Sequence, residues 1–109
     1  RRHPAVMRIL LILASILLAF PATAAPDTVA GRRIAQRCKA CHSVGVKGAS
    51  PNPAAPPFRT LAQKYPLENL QEGLTEGLVV GHAQGMPRVK LTPPQVEDFL
   101  RYLQAIQRK

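Results

Sequence analysis

Two cysteines and a histidine stand close together in this chain, as Cys38-Lys39-Ala40-Cys41-His42. Each residue of a helix advances by about 100°, so a helix through this stretch would present Cys38, Cys41 and His42 on one face. Two thiols placed in this way can add to the two vinyl groups of a porphyrin, while the imidazole reaches its iron. The C-x-x-C-H spacing is therefore typical of the covalent attachment of one c-type haem.

The same two cysteines could in principle serve other chemistry. A C-x-x-C pair that exchanges thiols and disulfides usually opens a helix after a strand, whereas this pair is predicted at the end of a helix with no strand before it. A zinc site needs four ligands, and the chain contains no second Cys/His cluster. The pattern thus favours haem attachment, with a thiol–disulfide oxidoreductase as the weaker alternative.

A haem iron bound by His42 has one further axial position. Met86 is the only methionine after the first 24 residues, and it lies in a Gly-Met-Pro loop, not on an apolar helical stripe. A neutral thioether closes the iron to other ligands and raises its reduction potential, as suits an electron carrier. We therefore predict Met86 as the sixth ligand, with a core-filling methionine or ligation by His82 as the alternatives.

Residues 1–24 have the layout of a secretory signal peptide. Three arginines precede an apolar run at 9–20, and small residues follow it up to Ala24. Twelve apolar residues span about 18 Å as a helix, which is short of the roughly 30 Å of bilayer hydrocarbon. We expect export to the periplasm with cleavage after Ala24 or Ala25, and Met7 as a plausible start; an uncleaved membrane anchor is the alternative.

The formal charge of the 109-residue chain is +9, from 15 basic and 6 acidic residues. Three of the basic residues lie in the predicted signal segment, so 12 remain against 6 acidic ones, a net charge of +6. A basic protein outside the cytoplasm is steered towards acidic surfaces. We expect redox partners with acidic docking surfaces and no nucleic acid, because an exported chain with few aromatic residues lacks the means to stack bases. The candidate docking residues are Lys39, Lys47, Lys64, Arg88 and Lys90.

Helical patterns surround the motif. A first helix is predicted to begin at Asp27 or Thr28 and to run towards Cys41. Residues 45–57 form a loop by composition, because their glycines and prolines oppose a helix. A short helix is predicted at 58–65, ahead of a proline that stops it.

Two further helices complete an all-α prediction of about four helices. The third begins at Pro66 and carries leucines at spacings of three and four, at Leu67, Leu70, Leu74 and Leu78. The last begins at Thr92, where Gln95 completes a capping box. Its apolar stripe consists of Val96, Phe99, Leu100, Leu103 and Ile106. No segment alternates with a period of two, so no sheet is predicted.

Together these features resemble a small class I c-type cytochrome with one haem and His/Met ligation. The Gly-Met-Pro sequence around Met86 is similar to the axial-methionine loop of that family. Gly31 stands seven residues before Cys38, where the family often has a glycine that lets the first and last helices cross closely. Phe99 and Tyr102 resemble the pair on the last helix that packs against the first.

The resemblance also implies a role for a proline carbonyl. Pro56 and Phe58 lie where the family has a Pro-x-Leu segment, whose proline carbonyl accepts a hydrogen bond from the axial histidine. Pro57 competes for this role. An aromatic residue is common in the family where this chain has Ala35, so the helix crossing is expected to be thinner or filled by Ile34.

The resemblance implies a cytochrome c-like domain at 25–109 built around one haem c. The residues that bind the cofactor would be Cys38, Cys41, His42, Met86 and Pro56, and the iron ligands would be His42 and Met86. The implied function is a monomeric periplasmic one-electron carrier, not an enzyme, that touches a membrane only through an uncleaved signal segment. The main alternative is a dedicated electron-accepting subunit of a periplasmic dehydrogenase, and a haem peroxidase would need an open sixth position.

Overall fold

The computed structural model describes residues 27–77 and 85–108. These residues form helices and turns without a strand, which confirms the predicted all-α fold. The α-helices among them are α1 (Val29–Ala35), α2 (Leu70–Glu76) and α3 (Pro93–Ile106). Shorter 3-10 helices span Gln36–Cys38, Phe58–Gln63 and Leu67–Asn69. Since the first continues α1 and the third leads into α2, this part of the chain has four helical segments.

Several predictions fall outside the described residues. The signal segment predicted at 1–24 is one of them, and Leu78 and His82 are others. Within the described part, no helix is both long enough and apolar enough to cross a bilayer.

The first helix is shorter than the sequence predicts. Its α-helical part ends at Ala35 and continues as the 3-10 turn Gln36–Cys38, so the helix predicted to run towards Cys41 follows that course but stops short of it. The carbonyl of Cys41 accepts a hydrogen bond from the backbone N–H of Asn52 (3.0 Å), which draws it away from a continuing helix. The short helix predicted at 58–65 is also a 3-10 helix.

Helices α1 and α3 cross at Gly31. A Cβ at this position would lie far inside the contact distance of the Asp98 carbonyl oxygen and 2.6 Å from Cβ of Tyr102. Only glycine lets the two backbones approach this closely. Ala35 is fully buried at the same crossing, and Ile34 packs against the core beside it.

Helix α3 has the predicted capping box. The hydroxyl of Thr92 accepts a hydrogen bond from the Gln95 N–H (3.4 Å), and the Gln95 side-chain carbonyl accepts one from the Thr92 N–H (3.0 Å). Two otherwise unpaired N–H groups are satisfied in this way. The helix then buries Val96, Phe99, Tyr102 and Leu103 in the core.

Helix α2 ends at Gly77, which has a positive φ of 72°. The chain that returns towards α3 packs beside it, since a Cβ on Gly77 would lie 3.2 Å from Cβ of Lys90. One residue further, the Leu91 N–H donates to the Leu74 carbonyl (2.9 Å). These contacts anchor the end of the segment that carries Met86.

Candidate haem site

The C-x-x-C-H motif lies on a turn that still keeps its three side chains together. The backbone N–H groups of Cys41 and His42 both donate to the Cys38 carbonyl, at 3.3 and 3.0 Å. The second of these bonds spans four residues, as in an α-helix, so the turn retains the helical spacing over this short stretch. Both cysteines are free thiols, and all three side chains line one cavity.

Two adjoining cavities lie beside the motif, with volumes of about 350 and 420 Å³. Both are lined by Cys38, His42, Pro56 and Met86, whereas Cys41 lines only the larger one. The smaller cavity has mostly apolar walls, formed by Phe58, Leu61, Leu70, Leu74, Leu91 and Phe99 among others. The site therefore brings two thiols, an imidazole and a thioether to the edge of an apolar chamber.

These residues fit a covalently held porphyrin. The thiols supply two points of attachment, and the imidazole and the thioether supply the donor pair found in cytochromes c. The apolar walls suit the macrocycle, because burial of an apolar surface away from water is favourable. By contrast, the described residues contain no group of three or more His, Cys, Asp and Glu side chains that could hold a metal ion.

The His42 ring is oriented by a hydrogen bond to Pro56. Its Nδ1 lies 2.8 Å from the Pro56 carbonyl oxygen, so Nδ1 carries the proton and donates it. The lone pair of the other ring nitrogen is then free to bind iron. The choice between the two prolines is resolved here, because the Pro57 carbonyl accepts hydrogen bonds from the backbone N–H and the hydroxyl of Thr60.

An aromatic ring also packs on His42. The ring centroids of His42 and Phe58 are 4.8 Å apart, and their planes are tilted by 38°. On its far side, Phe58 meets Phe99 edge to face, at 5.7 Å and 71°. The histidine is thus backed by a short row of aromatic rings that ends on α3.

A polar loop supports the same side of the site, and the sequence analysis missed it. The buried Ser43 hydroxyl donates to the Lys47 carbonyl (3.2 Å) and accepts from Nη1 of Arg59 (3.0 Å). Nη2 of Arg59 donates to the Gly48 carbonyl (2.8 Å). Arg59 therefore holds the turn that follows His42, although no local motif marks a contact between residues 16 positions apart.

The C-terminal part of α3 and the residue after it are hydrogen-bonded to the segments around His42. The Tyr102 hydroxyl donates to the Val44 carbonyl (2.6 Å), two residues after the motif. The side chain of Gln107 donates to the Phe58 carbonyl (2.8 Å) and accepts from the Ala62 N–H (2.9 Å). The predicted packing of Tyr102 against the first helix is present, and the hydrogen bonds add a second function to this helix.

Met86 is half-buried and lines both cavities. It follows Gly85, whose φ is 83°, and precedes Pro87, so its backbone is bent before it and stiffened after it. His82, the alternative ligand, lies outside the described residues. Within the described part, residues 85–90 form no hydrogen bond with other residues.

Two basic residues line the cavities of the site. The five predicted docking residues are all exposed, and one of them, Lys64, lines the smaller cavity. Arg37 was not predicted, yet it lines both cavities and is also exposed. Its position directly before Cys38 was the available signal.

The surroundings of Cys38 disfavour its thiolate form. Burial raises the pKa of Cys38 above its ordinary value, the positive charge of Arg37 opposes the rise, and the neighbouring Cys41 adds to it. Burial also raises the pKa of Tyr65, which lines the smaller cavity. Both shifts have the same origin, because an apolar environment disfavours the charged form of either group.

Comparison with protein families matches most of the chain to a known family. The family model described as cytochrome c matches residues 28–107, from the residue before α1 to the residue after α3. Comparisons with curated proteins and with solved structures returned no match.

Proposed function

The chain belongs to the cytochrome c family, and on that basis we propose that it is a periplasmic one-electron carrier with His42 and Met86 as its axial ligands. Membership of the family brings a covalently attached haem c, for which Cys38 and Cys41 are the attachment points, and a function in electron transfer. The proposal goes further in three respects: the identity of the axial ligands, the periplasmic location, and the role of a monomer that diffuses between redox partners.

One observation supports the ligand assignment most directly. Both cavities are lined by His42 and by Met86, which come from segments 44 residues apart in the chain. Because Nδ1 of His42 donates its proton to the Pro56 carbonyl, the other ring nitrogen, Nε2, carries the lone pair that can bind iron. A site that joins a fixed imidazole, a thioether and two thiols suits a six-coordinate haem better than any use of these groups separately.

When bound, the haem supplies one-electron chemistry, since its iron is stable as ferric and as ferrous ion. The protein's own residues position and protect it. Cys38 and Cys41 would tether the group, Pro56 orients His42, and Met86 would keep small ligands away from the iron. The leucine and phenylalanine walls would exclude water, which would raise the reduction potential.

The first experiment tests the sixth ligand with two variants of the exported protein. Met86→Ala should abolish the absorption band of sulfur–iron bonding, whereas His82→Ala should leave it in place. Spectra of the reduced and oxidised proteins report both results. Retention of the band in Met86→Ala, or its loss in His82→Ala, would show that the ligand has been assigned wrongly.

The wild-type protein also distinguishes a carrier from a peroxidase. A tightly bound Met86 should prevent carbon monoxide and cyanide from binding at neutral pH. Ready binding of either molecule to the native protein would favour catalysis at an open iron instead.

The intact mass of protein from the periplasmic fraction tests export and attachment together. We expect the mass of the chain from Ala25 or Pro26 onwards plus one haem. A mass that includes residues 9–20 would favour the uncleaved anchor. Size-exclusion chromatography of the same material should give a monomer, while migration with a larger enzyme would favour the dehydrogenase subunit.

Charge reversal tests whether basic residues at the opening guide acidic partners. Arg37→Glu and Arg33→Glu change the net charge equally, but only Arg37 lines the two cavities. We expect Arg37→Glu to slow electron transfer to an acidic redox protein more than Arg33→Glu does, and the difference to shrink with added salt. Equal rates for the two variants, or a rate that does not respond to salt, would exclude local steering.

A further inference from the structure

Phe58 occupies the position at which the family resemblance implies a leucine, and its ring lies against the ring of His42. We propose that Phe58 is a positioning residue that fixes the plane of the His42 imidazole. The inference rests on the proposed function in one respect, because it takes His42 as an axial ligand of the haem.

A single hydrogen bond leaves an imidazole plane some freedom. The bond from Nδ1 to the Pro56 carbonyl orients the His42 ring, but it tolerates a range of angles, so the ring can still swing through a limited arc about its Cβ–Cγ bond. A flat ring at a centroid distance of 4.8 Å blocks this swing on one face. A leucine would fill similar space without presenting a flat surface, so the aromatic character of Phe58 is what matters.

Phe58 can limit the rotation of the His42 ring because Phe58 is itself held in place by backbone hydrogen bonds and by packing. Its N–H donates to the Ser43 carbonyl (2.9 Å), and its own carbonyl accepts from the side chain of Gln107 (2.8 Å). Its ring is only 5 % exposed and meets the edge of Phe99. The backbone bond to Ser43 matters most. Because Ser43 directly follows His42, this bond fixes the position of the Phe58 ring relative to the His42 ring.

Phe99 provides a matched control for the test. It is also 5 % exposed, it also lines the smaller cavity, and it contacts Phe58. No ring contact joins it to His42 in the described structure. Phe58→Leu and Phe99→Leu therefore remove the same atoms from comparable environments, and they differ in whether His42 loses its aromatic neighbour.

The test compares the ferric haem proteins by electron paramagnetic resonance and by the proton NMR shifts of the haem methyl groups, both of which depend on the orientation of the axial ligand planes. Phe58→Leu should split or broaden the signals, because the imidazole then samples several orientations. Phe99→Leu should lower the midpoint of urea unfolding to a similar extent while leaving the signals single. Phe58→Tyr retains the ring and should restore the wild-type signals.

The reduction potential gives a second readout. Changing the orientation of one ligand should shift the ferric/ferrous equilibrium by less than tenfold, which is less than about 59 mV for one electron. If Phe58→Leu does not fold, Phe58→Met provides a non-aromatic side chain that adapts to the same space. Signals of the folded non-aromatic variant that match the wild type, or that change no more than those of Phe99→Leu, would overturn the proposal.

Failure of the proposed function would look different. In that case the wild-type protein itself would lack the sulfur–iron band or the attached haem. A wild-type spectrum of a His/Met haem, together with equal behaviour of Phe58→Leu and Phe99→Leu, would reject the positioning role alone.

Discussion

The two sides of the haem site are built in different ways. On the histidine side, His42, Ser43 and Phe58 are joined to the rest of the chain by side-chain and backbone hydrogen bonds. On the methionine side, residues 85–90 have none within the described structure and are held through packing and through the bond of Leu91 to Leu74. The first side is a framework of hydrogen bonds, whereas residues 85–90 of the second side form a strap that is followed by the bonded residue Leu91.

The histidine side is expected to contribute more to the stability of the fold than the methionine side. Hydrogen bonds between residues far apart in sequence fix the histidine side, and two of their donors are Tyr102 on α3 and Gln107 directly after it. The methionine side contributes a ligand and a covering surface. Substitutions around His42 should therefore cost more unfolding free energy than those around Met86, whereas substitutions of the strap should act mainly on the spectrum.

The largest loss of stability is expected for a substitution at Gly31, where α1 and α3 cross. Gly31→Ala should lower the free energy of unfolding by about 3 kcal/mol, because the new methyl group would meet the Asp98 carbonyl and the backbone end of Tyr102. Neither atom is at the far end of a flexible side chain. Urea unfolding of the haem protein measures the loss.

Gly45→Ala is the control for this change, since no atom lies within 4 Å of the added Cβ. It should change the stability by less than about 0.5 kcal/mol. A similar loss for the two variants would mean that close approach at Gly31 does not hold α1 against α3.

A smaller effect is expected for the bond between α3 and the loop after the motif. Tyr102→Phe removes the hydroxyl that donates to the Val44 carbonyl and keeps the buried ring. The cost should be about 1.5 kcal/mol, because a carbonyl in a half-buried position loses its donor. Thermal or urea unfolding gives the value.

Thr75→Val makes the matching change on α2, where the hydroxyl donates to the Gln71 carbonyl (2.7 Å) at an exposed site. Water can replace this bond, so the cost should stay below about 0.5 kcal/mol. Should Thr75→Val prove as costly as Tyr102→Phe, the histidine side would have no special share in stability.

The smallest of the three effects is expected where the methionine strap joins α3. Thr92→Ala removes one half of the capping box and should cost about 1 kcal/mol. Gln95→Ala removes the other half and should cost less, because it leaves the Thr92 hydroxyl bonded to the N–H of residue 95. Unfolding curves rank the variants. If Thr92→Ala lowered the free energy of unfolding more than Gly31→Ala does, the methionine side would contribute more to stability than the histidine side.

The features that could be predicted from the sequence are those that depend on residues close together in the chain. The capping box needs only Thr92 and Gln95, and the haem motif needs only five consecutive residues. The bond from the Asn52 N–H to the Cys41 carbonyl has no local sequence signal, because it joins residues that only the path of the loop brings together. In the same way, Arg59 and Gln107 carry no local signal, since their partners are set by how distant segments meet.

Pro56 and Pro57 illustrate the same limit at a single position. The sequence and the family resemblance narrowed the partner of His42 to these two adjacent carbonyls. Choosing between them required the path of the backbone, which turns the Pro57 carbonyl towards Thr60 at the start of the next 3-10 helix. The composition of the loop predicts its irregularity but not its direction.

The bond from Tyr102 to Val44 spans 58 residues, and this separation has a consequence for assembly. A chain that emerges from the ribosome or crosses a membrane from its N-terminus presents the cysteines well before it presents α3. Until α3 arrives, neither the Gly31 crossing nor the Tyr102 and Gln107 bonds can form. The loop after the motif therefore lacks the support of α3 during this interval, and the contacts that hold it in place form last.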